Sequence, residues 1–211
     1  TFEQPVDGFV IDVVSGDMLI EVQTRSFSSM KRKLATLLEL GHRIRVVHPI
    51  AIDKWIVKID DEGDEIGRRK SPRHGAPTDI FAELVSIPDL ILHPALDFLI
   101  VMTGEEELRR HDPTKAWRRR GWVVQERRLL EICDTLILSD ADDLARLLPS
   151  DLTTEWTTAN LAAALGRPRR IAQQMAYCLR ECGLAVPVGK QGNAIVYRTD
   201  VDSSEARSIP S

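Results

Sequence analysis

Three residues near the start of the chain, Asp12, Glu21 and Gln23, have the types and spacing for metal-dependent chemistry on a phosphate. They lie in the stretch FVIDVVSGDMLIEVQTRSF, residues 9–27. It reads as two strands, Phe9 to Val14 and Met18 to Thr24, joined at Gly16-Asp17, a pair that suits a two-residue hairpin turn. That turn sets Ser15 opposite Met18, Val14 opposite Leu19 and Asp12 opposite Glu21, and cross-strand partners share a face. Glu21 and Gln23 are two apart and share it as well. Ile11, Val13, Ile20 and Val22 then point to the other side, toward a core. An acid inside a hydrophobic strand is costly unless it is paired, hydrogen-bonded or metal-bound. Two facing carboxylates repel, and a divalent cation removes the repulsion. Oxygen ligands suit a hard ion such as magnesium, which can activate water and stabilise charge on phosphate. The alternative is a partly exposed hairpin with polar residues on its wet face, because alternation is what half-buried strands show.

The elements that position these residues follow in order. A short strand over Phe2 to Val6 leads into the hairpin. After Gln23, Ser28 and Ser29 are candidate caps for a helix in which Met30, Leu34, Leu37 and Leu38 keep helical spacing up to Gly41. Lys31, Arg32 and Lys33 crowd its first turn, where cations oppose the helix dipole. They are either a solvated face or an anchor for an anion beside the acids. Residues 43–50, RIRVVHPI, read as a buried strand. Residues 54–60 and 65–70 read as a second hairpin running into a basic loop that begins at Arg68 and Arg69 and ends near Gly75, suited to phosphate contacts or simply solvated. A short helix is expected over Asp79 to Ser86 and a strand over Leu96 to Thr103.

Asp12, the turn, Glu21-x-Gln23 on a strand and a helix after it resemble the PD-(D/E)xK nuclease superfamily. The resemblance implies that Asp12 and Glu21 hold Mg2+ or Mn2+. It implies that position 23, usually lysine, helps to place or activate the attacking water. Glutamine carries neither a titratable proton nor a charge, so Gln23 would only orient that water. Asp7, in PVDGF, is a second candidate for the first aspartate. Asp12 is preferred because the register sets it across from Glu21. The resemblance also implies a helix ahead of the first strand, and this sequence starts at that strand.

The middle of the chain combines tryptophan with arginine. Trp117, Arg118, Arg119, Arg120 and Trp122 would hold a nucleic-acid backbone and stack on bases, or else pack at a junction with the arginines paired to Glu105, Glu106 and Glu107. Val123 to Leu138 reads as a helix, from Leu129, Leu130, Ile132 and Cys133, with another short helix over Ala141 to Leu148.

Toward the C-terminus, Thr157 or Thr158 caps a helix with Leu161 and Leu165 inward. Gly166-Arg167-Pro168 is a turn, Arg169 to Cys182 a second helix, and residues 184–198 a hairpin with its tip at 189–193. This order resembles a winged helix-turn-helix, whose second helix enters the major groove by its N-terminal end. Arg167, Arg169, Arg170, Gln173 and Gln174 stand there, with side chains that read base edges, and Lys190 sits at the tip of the wing. Such folds also serve protein contacts alone.

The chain of 211 residues is 43% hydrophobic and 28% charged, with a net charge of −4, ordinary for a globular protein and without an overall basic signature. Cys133, Cys178 and Cys182 have no metal-like spacing with histidine; Cys178 and Cys182, four apart in an expected helix, read as small core residues, and a reducing cytoplasm fits. There is no apolar run of membrane-spanning length in the sequence. The expected fold class is α/β, an α+β mixed-sheet nuclease-like core over 1–112, followed by a helical connector over 113–150, a mostly helical winged helix-turn-helix domain over 151–200 and a disordered tail over 201–211. The expected function is metal-dependent hydrolysis of DNA phosphodiesters. The expected partners are DNA and a second copy in a homodimer, with no membrane. The alternative is a DNA-binding regulator or adaptor on a decayed nuclease core, and a weaker one is a protein-interaction subunit.

Overall fold

In the computed structural model the described residues are 1–115 and 120–199. Trp117, Arg118 and Arg119 of the aromatic and basic stretch, and the expected tail over 201–211, lie outside them. The protein is mostly β, with 46% strand and 26% helix. Its strands form a seven-stranded sheet and a separate three-stranded one.

The large sheet begins as an antiparallel meander of β1 (Phe2–Val6), β2 (Phe9–Ser15) and β3 (Met18–Val22). The β2–β3 register is the one expected, with Ser15 opposite Met18, Val14 opposite Leu19 and Val13 opposite Ile20. A 3-10 turn over Phe27–Met30 then leads into α1 (Lys31–Glu39). No side chain caps α1; it is entered from the 3-10 turn, so neither Ser28 nor Ser29 is its N-cap. It ends at Gly41, whose φ of 86° is available to glycine at no steric cost. The chain returns as β4 (Arg43–Ile59), parallel to β3. A crossover helix between parallel neighbours is the connection such a pair requires.

Beyond this point the strands are longer than expected. The expected hairpin of residues 54–60 and 65–70 is present, but its first arm is the continuation of β4, which pairs antiparallel with β5 (Glu65–Lys70). Arg68 and Arg69 therefore sit on a strand rather than a loop. Two 3-10 turns, over Pro77–Ile80 and Pro88–Leu90, flank α2 (Phe81–Leu84). β6 (Leu96–His111) is one strand through the Glu105–Glu107 run, and β7 (Trp122–Leu138) is a strand where a helical connector was expected. The sheet order is β1-β2-β3-β4-β6-β7, with β5 on β4.

After α3 (Ala141–Ala145), capped by Asp140, comes β8 (Glu155–Thr157). It is followed by α4 (Thr158–Leu165), α5 (Arg169–Glu181), β9 (Ala185–Gln191) and β10 (Ala194–Thr199). Thr157 and Asn160 close a reciprocal capping box at α4. The three-stranded sheet β8-β10-β9 overturns the expectation of a mostly helical C-terminal domain. A three-residue strand such as β8 leaves almost no periodic signal in a sequence.

The chain divides into two compact units. The first holds residues 1–48, 78–99 and 137 onward. Its core includes Phe27, Leu34, Leu37, Ile80, Phe81 and Phe98, all at most 1% exposed, with the Phe27 and Phe98 rings stacked at 5.8 Å. The C-terminal helices belong to this unit, and α5 packs on α2. The second unit holds residues 49–77 and 100–136. Val57, Ile59 and Leu108 form its apolar cluster. Among the described residues no helix is long and apolar enough to cross a membrane.

Candidate functional site

The backbone pairing of β2 with β3 stops at Val13 and Ile20, and from there the two acids take over. Val22 N donates to Asp12 Oδ2 at 2.8 Å, and Asp12 N donates to Glu21 Oε1 at 3.4 Å. A side-chain carboxylate standing in for a carbonyl sits between the strands, so the hairpin opens where its acids face each other. On its other side β3 stays paired with β4, as far as Gln23 N donating to Val47 O at 2.9 Å. The acids are thus held on a strand fixed from one side and opened on the other.

The side of the sheet differs from expectation. Leu19 and Glu21 are buried, at 4% and 8% exposed, while Val22 is 48% exposed. Ile11 is fully buried, as expected. The cause is α1, which lies on the Glu21 side and delivers a cation to it. Lys33 Nζ donates to Glu21 Oε1 at 2.6 Å and to Val10 O at 2.5 Å. Lys33 is therefore not a free anchor for phosphate; its side chain is 18% exposed and belongs to the acid pair. A cation in the first turn of a helix is unfavourable for the dipole, and the Glu21 carboxylate offsets that cost. Three cations at a helix start, ten residues after a strand acid, were the signal in the sequence. The pairing itself depends on the side of the sheet that the helix covers.

Gln23 does not join the acids. Its amide Nε2 donates to Ser29 Oγ at 3.1 Å and Ser26 O at 3.3 Å, which ties the strand end to the turn before α1. Among the described residues no hydrogen bond links it to Asp12 or Glu21. His48 Nδ1 donates to Gln23 O at 2.6 Å from a buried position edge-on to Phe27. The end of β3 is therefore rigidly held. Asp7 lies in the β1–β2 turn with a φ of 46°, and its carboxylate is paired with His42 Nε2 at 2.6 Å.

The donor set fits a hard divalent cation in part. Asp12 Oδ1 and Glu21 Oε2 carry no hydrogen bond or ion pair among the described residues, so each acid offers one oxygen. Two carboxylate oxygens suit Mg2+ or Mn2+, since magnesium keeps several waters and takes further oxygens from a phosphate. No group of three or more His, Cys, Asp or Glu that could hold a metal occurs among the described residues. The thiols are not ligands in waiting: burial pushes Cys178 up to about 12 and Cys182 up to about 11, so both stay protonated.

The expected DNA-contacting residues separate into free and engaged. In the first unit Arg169, Arg170 and Gln173 are exposed at the N-terminal end of α5, and Lys190 is exposed near the β9–β10 turn. Gln174 faces inward, its Oε1 buried and without a hydrogen-bond partner among the described residues. Arg167 is paired with Asp79, both side chains about one-fifth exposed, and fixes the α4–α5 turn to the core. Lys31 is 3.7 Å from Asp89, with both side chains well exposed. In the second unit Arg68 lies 2.5 Å from Glu106 and 4.8 Å over the Trp55 ring, while Arg69 is exposed.

The second unit also holds a charge network that the sequence did not single out as a site. Glu107, 4% exposed, accepts from Arg109 Nε at 2.7 Å and Arg127 Nε at 3.4 Å, with Lys54 at 4.0 Å. Burial alone would raise its pKa, but the Arg109 hydrogen bond and the charges of Arg109 and Lys54 hold it below the ordinary carboxylate range. These pairs place the Glu105–Glu107 run against Lys54, Arg68, Arg109 and Arg127. Trp122 packs against His111 and under Lys58.

The chain is similar to an uncharacterized protein of Treponema pallidum (strain Nichols), with 30% identity over 200 residues covering 94% of this chain and 78% of that protein. No solved structure matches it. Residues 1–139, which carry the hairpin, α1 and the long strands through β7, match the family described as Domain of unknown function (DUF8091), and the chain belongs to that family.

Proposed function

We propose that the chain acts on DNA as a metal-dependent phosphodiester hydrolase, with Asp12 and Glu21 as the metal-holding acids. The observation that carries this reading is the opened end of the hairpin. There two carboxylates on adjacent strands each keep an oxygen free and one is bound to Lys33 at 2.6 Å. The antiparallel meander, the helix and the parallel fourth strand follow the order that the resemblance to PD-(D/E)xK nucleases calls for. A divalent cation at these oxygens supplies Lewis-acid stabilisation of charge on the phosphate and lowers the pKa of a water. Lys33 holds Glu21 in place through their 2.6 Å contact, and its ammonium stands beside the acid that Gln23 does not reach. It would help to position the attacking water, the part that lysine plays at the position of Gln23 in the family. Gln23 acts at one remove, by holding the turn from which α1 presents Lys33.

DNA would be held by the C-terminal segment, which resembles a winged helix-turn-helix in the order of its elements. Exposed Arg169, Arg170 and Gln173 lie at one end of α5, and Lys190 lies on the following hairpin. Three unbridged cysteines, one of them the exposed Cys133, suit a reducing cytoplasm. The Glu21–Lys33 pair and the turned-away Gln23 favour a second reading, in which the acids serve the fold and the protein binds DNA without cutting it.

The test is incubation with duplex, nicked and single-stranded DNA, with Mn2+ or with chelator. Metal-dependent cutting that Asp12→Ala and Glu21→Ala both abolish, while DNA affinity stays nearly unchanged, supports the hydrolase. Cutting that survives both substitutions ends the site assignment. Binding without cutting moves the assignment to the second reading.

A further inference from the structure

We infer that the edge strand β7 is an interface at which two copies of this chain pair antiparallel, centred on Leu129. β7 is the last strand of its sheet, and Gln125 to Thr135 are all exposed. Leu129 is 61% exposed, Leu130 49% and Ile132 60%. A strand of 17 residues with bare apolar side chains and an unpaired row of backbone groups is a template for another strand. β7 holds no proline and no glycine, and among the described residues no strand pairs with its outer edge.

The sequence of the strand says what the partner is. In a symmetric antiparallel pair with its two-fold axis through residue n, residue n−k faces n+k of the other copy, on the same face. Centred on Leu129, Arg127 faces Glu131 twice, and Leu129 faces Leu129. Centring on Arg128 or Glu131 sets like charges against each other, and centring on Leu130 sets Glu126 against Asp134. Centring on Ile132 brings no opposite charges together. The Leu129 register alone of these joins opposite charges without juxtaposing like ones. Arg128 does not upset it, because its guanidinium is held by Glu126 of its own strand at 2.8 Å, leaving its stem against Leu130. About Leu129 the strand sets Arg127 against Glu131 twice and no like charges together, a self-complementarity that favours a second copy over an unrelated chain.

The test is the mass of the full chain in solution by sedimentation or light scattering, from about 1 μM to 100 μM, beside charge-reversed variants. Wild type is expected as a dimer. Arg127→Glu and Glu131→Arg should each weaken it by about ten-fold or more, by turning two opposite pairs into like ones. The combined reversal should restore it. Circular dichroism checks that each variant is folded. Because Arg127 also meets Glu107 within its own chain, Leu129→Cys with Cys133→Ser provides a second reading that leaves the charges alone. Mild oxidation should link two copies through position 129, and Thr135→Cys in the same background should not link. A monomer at the highest concentration overturns the interface. A dimer indifferent to both reversals, or one that the combined reversal does not restore in folded protein, overturns the register.

Discussion

Lys33→Met leaves Glu21 buried without its cation. The pair is 2.6 Å long, with the Lys33 and Glu21 side chains 18% and 10% exposed. Removing one partner of a fully buried ion pair costs about 3–5 kcal/mol, because the other charge stays behind without compensation. Some solvent reaches Lys33, which lowers the cost. The hydrogen bond left to Glu21 Oε1, from Asp12 N, is long at 3.4 Å, which keeps the cost from falling far. A loss of about 2–3 kcal/mol is expected. For a chain of this size that is a drop in Tm of roughly 5–10 °C. Glu21→Gln in the Lys33→Met background removes the stranded charge and should recover part of the loss. A double-mutant cycle should then return a coupling of about 1–2 kcal/mol. Thermal and urea unfolding followed by circular dichroism give both numbers. A Lys33→Met melt within about 1 °C of wild type, or single substitutions that simply add, would refute the pairing and with it the placement of α1 over the acids.

Glu107→Gln tests the network of the second unit by pH. The folded pKa of Glu107 is held below the unfolded value. Its contribution to stability is therefore full above about pH 4.3 and fades as the pH falls through the lowered value. The variant should be less stable than wild type at neutral pH, and the two stability curves should converge below about pH 4; parallel curves would contradict the shift. Arg169→Ala with Arg170→Ala should weaken DNA binding and reduce the slope of log affinity on log salt by about 1.8 on a duplex, if both contact phosphate. An unchanged slope removes α5 from the interface.

What the sequence made legible was mostly local. The Gly16-Asp17 turn determines the β2–β3 register by itself, so the opposition of Asp12 and Glu21 follows from neighbouring residues. The Thr157 cap, Gly166 and Gly183 frame two helices in the same way. What stayed hidden depended on distant partners. Leu129, Leu130, Ile132 and Cys133 fit helical spacing as well as they fit an exposed strand, and only pairing with β6 decides between them. The Glu105–Glu107 run looked like the end of a strand because its carboxylates need Lys54, Arg68, Arg109 and Arg127 beside them to stay in one. The cover over the acid side of the hairpin was missed for a similar reason. Alternation shows two faces, but only the path of α1 shows which one it covers. Lys33 was accordingly read as a phosphate anchor, although its nearest anion is within the fold.

The most direct measurement is Mn2+ binding to the purified chain, followed by the loss of the free-ion electron paramagnetic resonance signal, in wild type, Asp12→Asn and Glu21→Gln. If the two carboxylates at the opened hairpin hold a divalent cation, wild type should bind Mn2+ and each variant should bind about ten-fold more weakly or worse. No binding by wild type, or equal binding by all three folded proteins, would contradict the metal site on which the hydrolase reading rests.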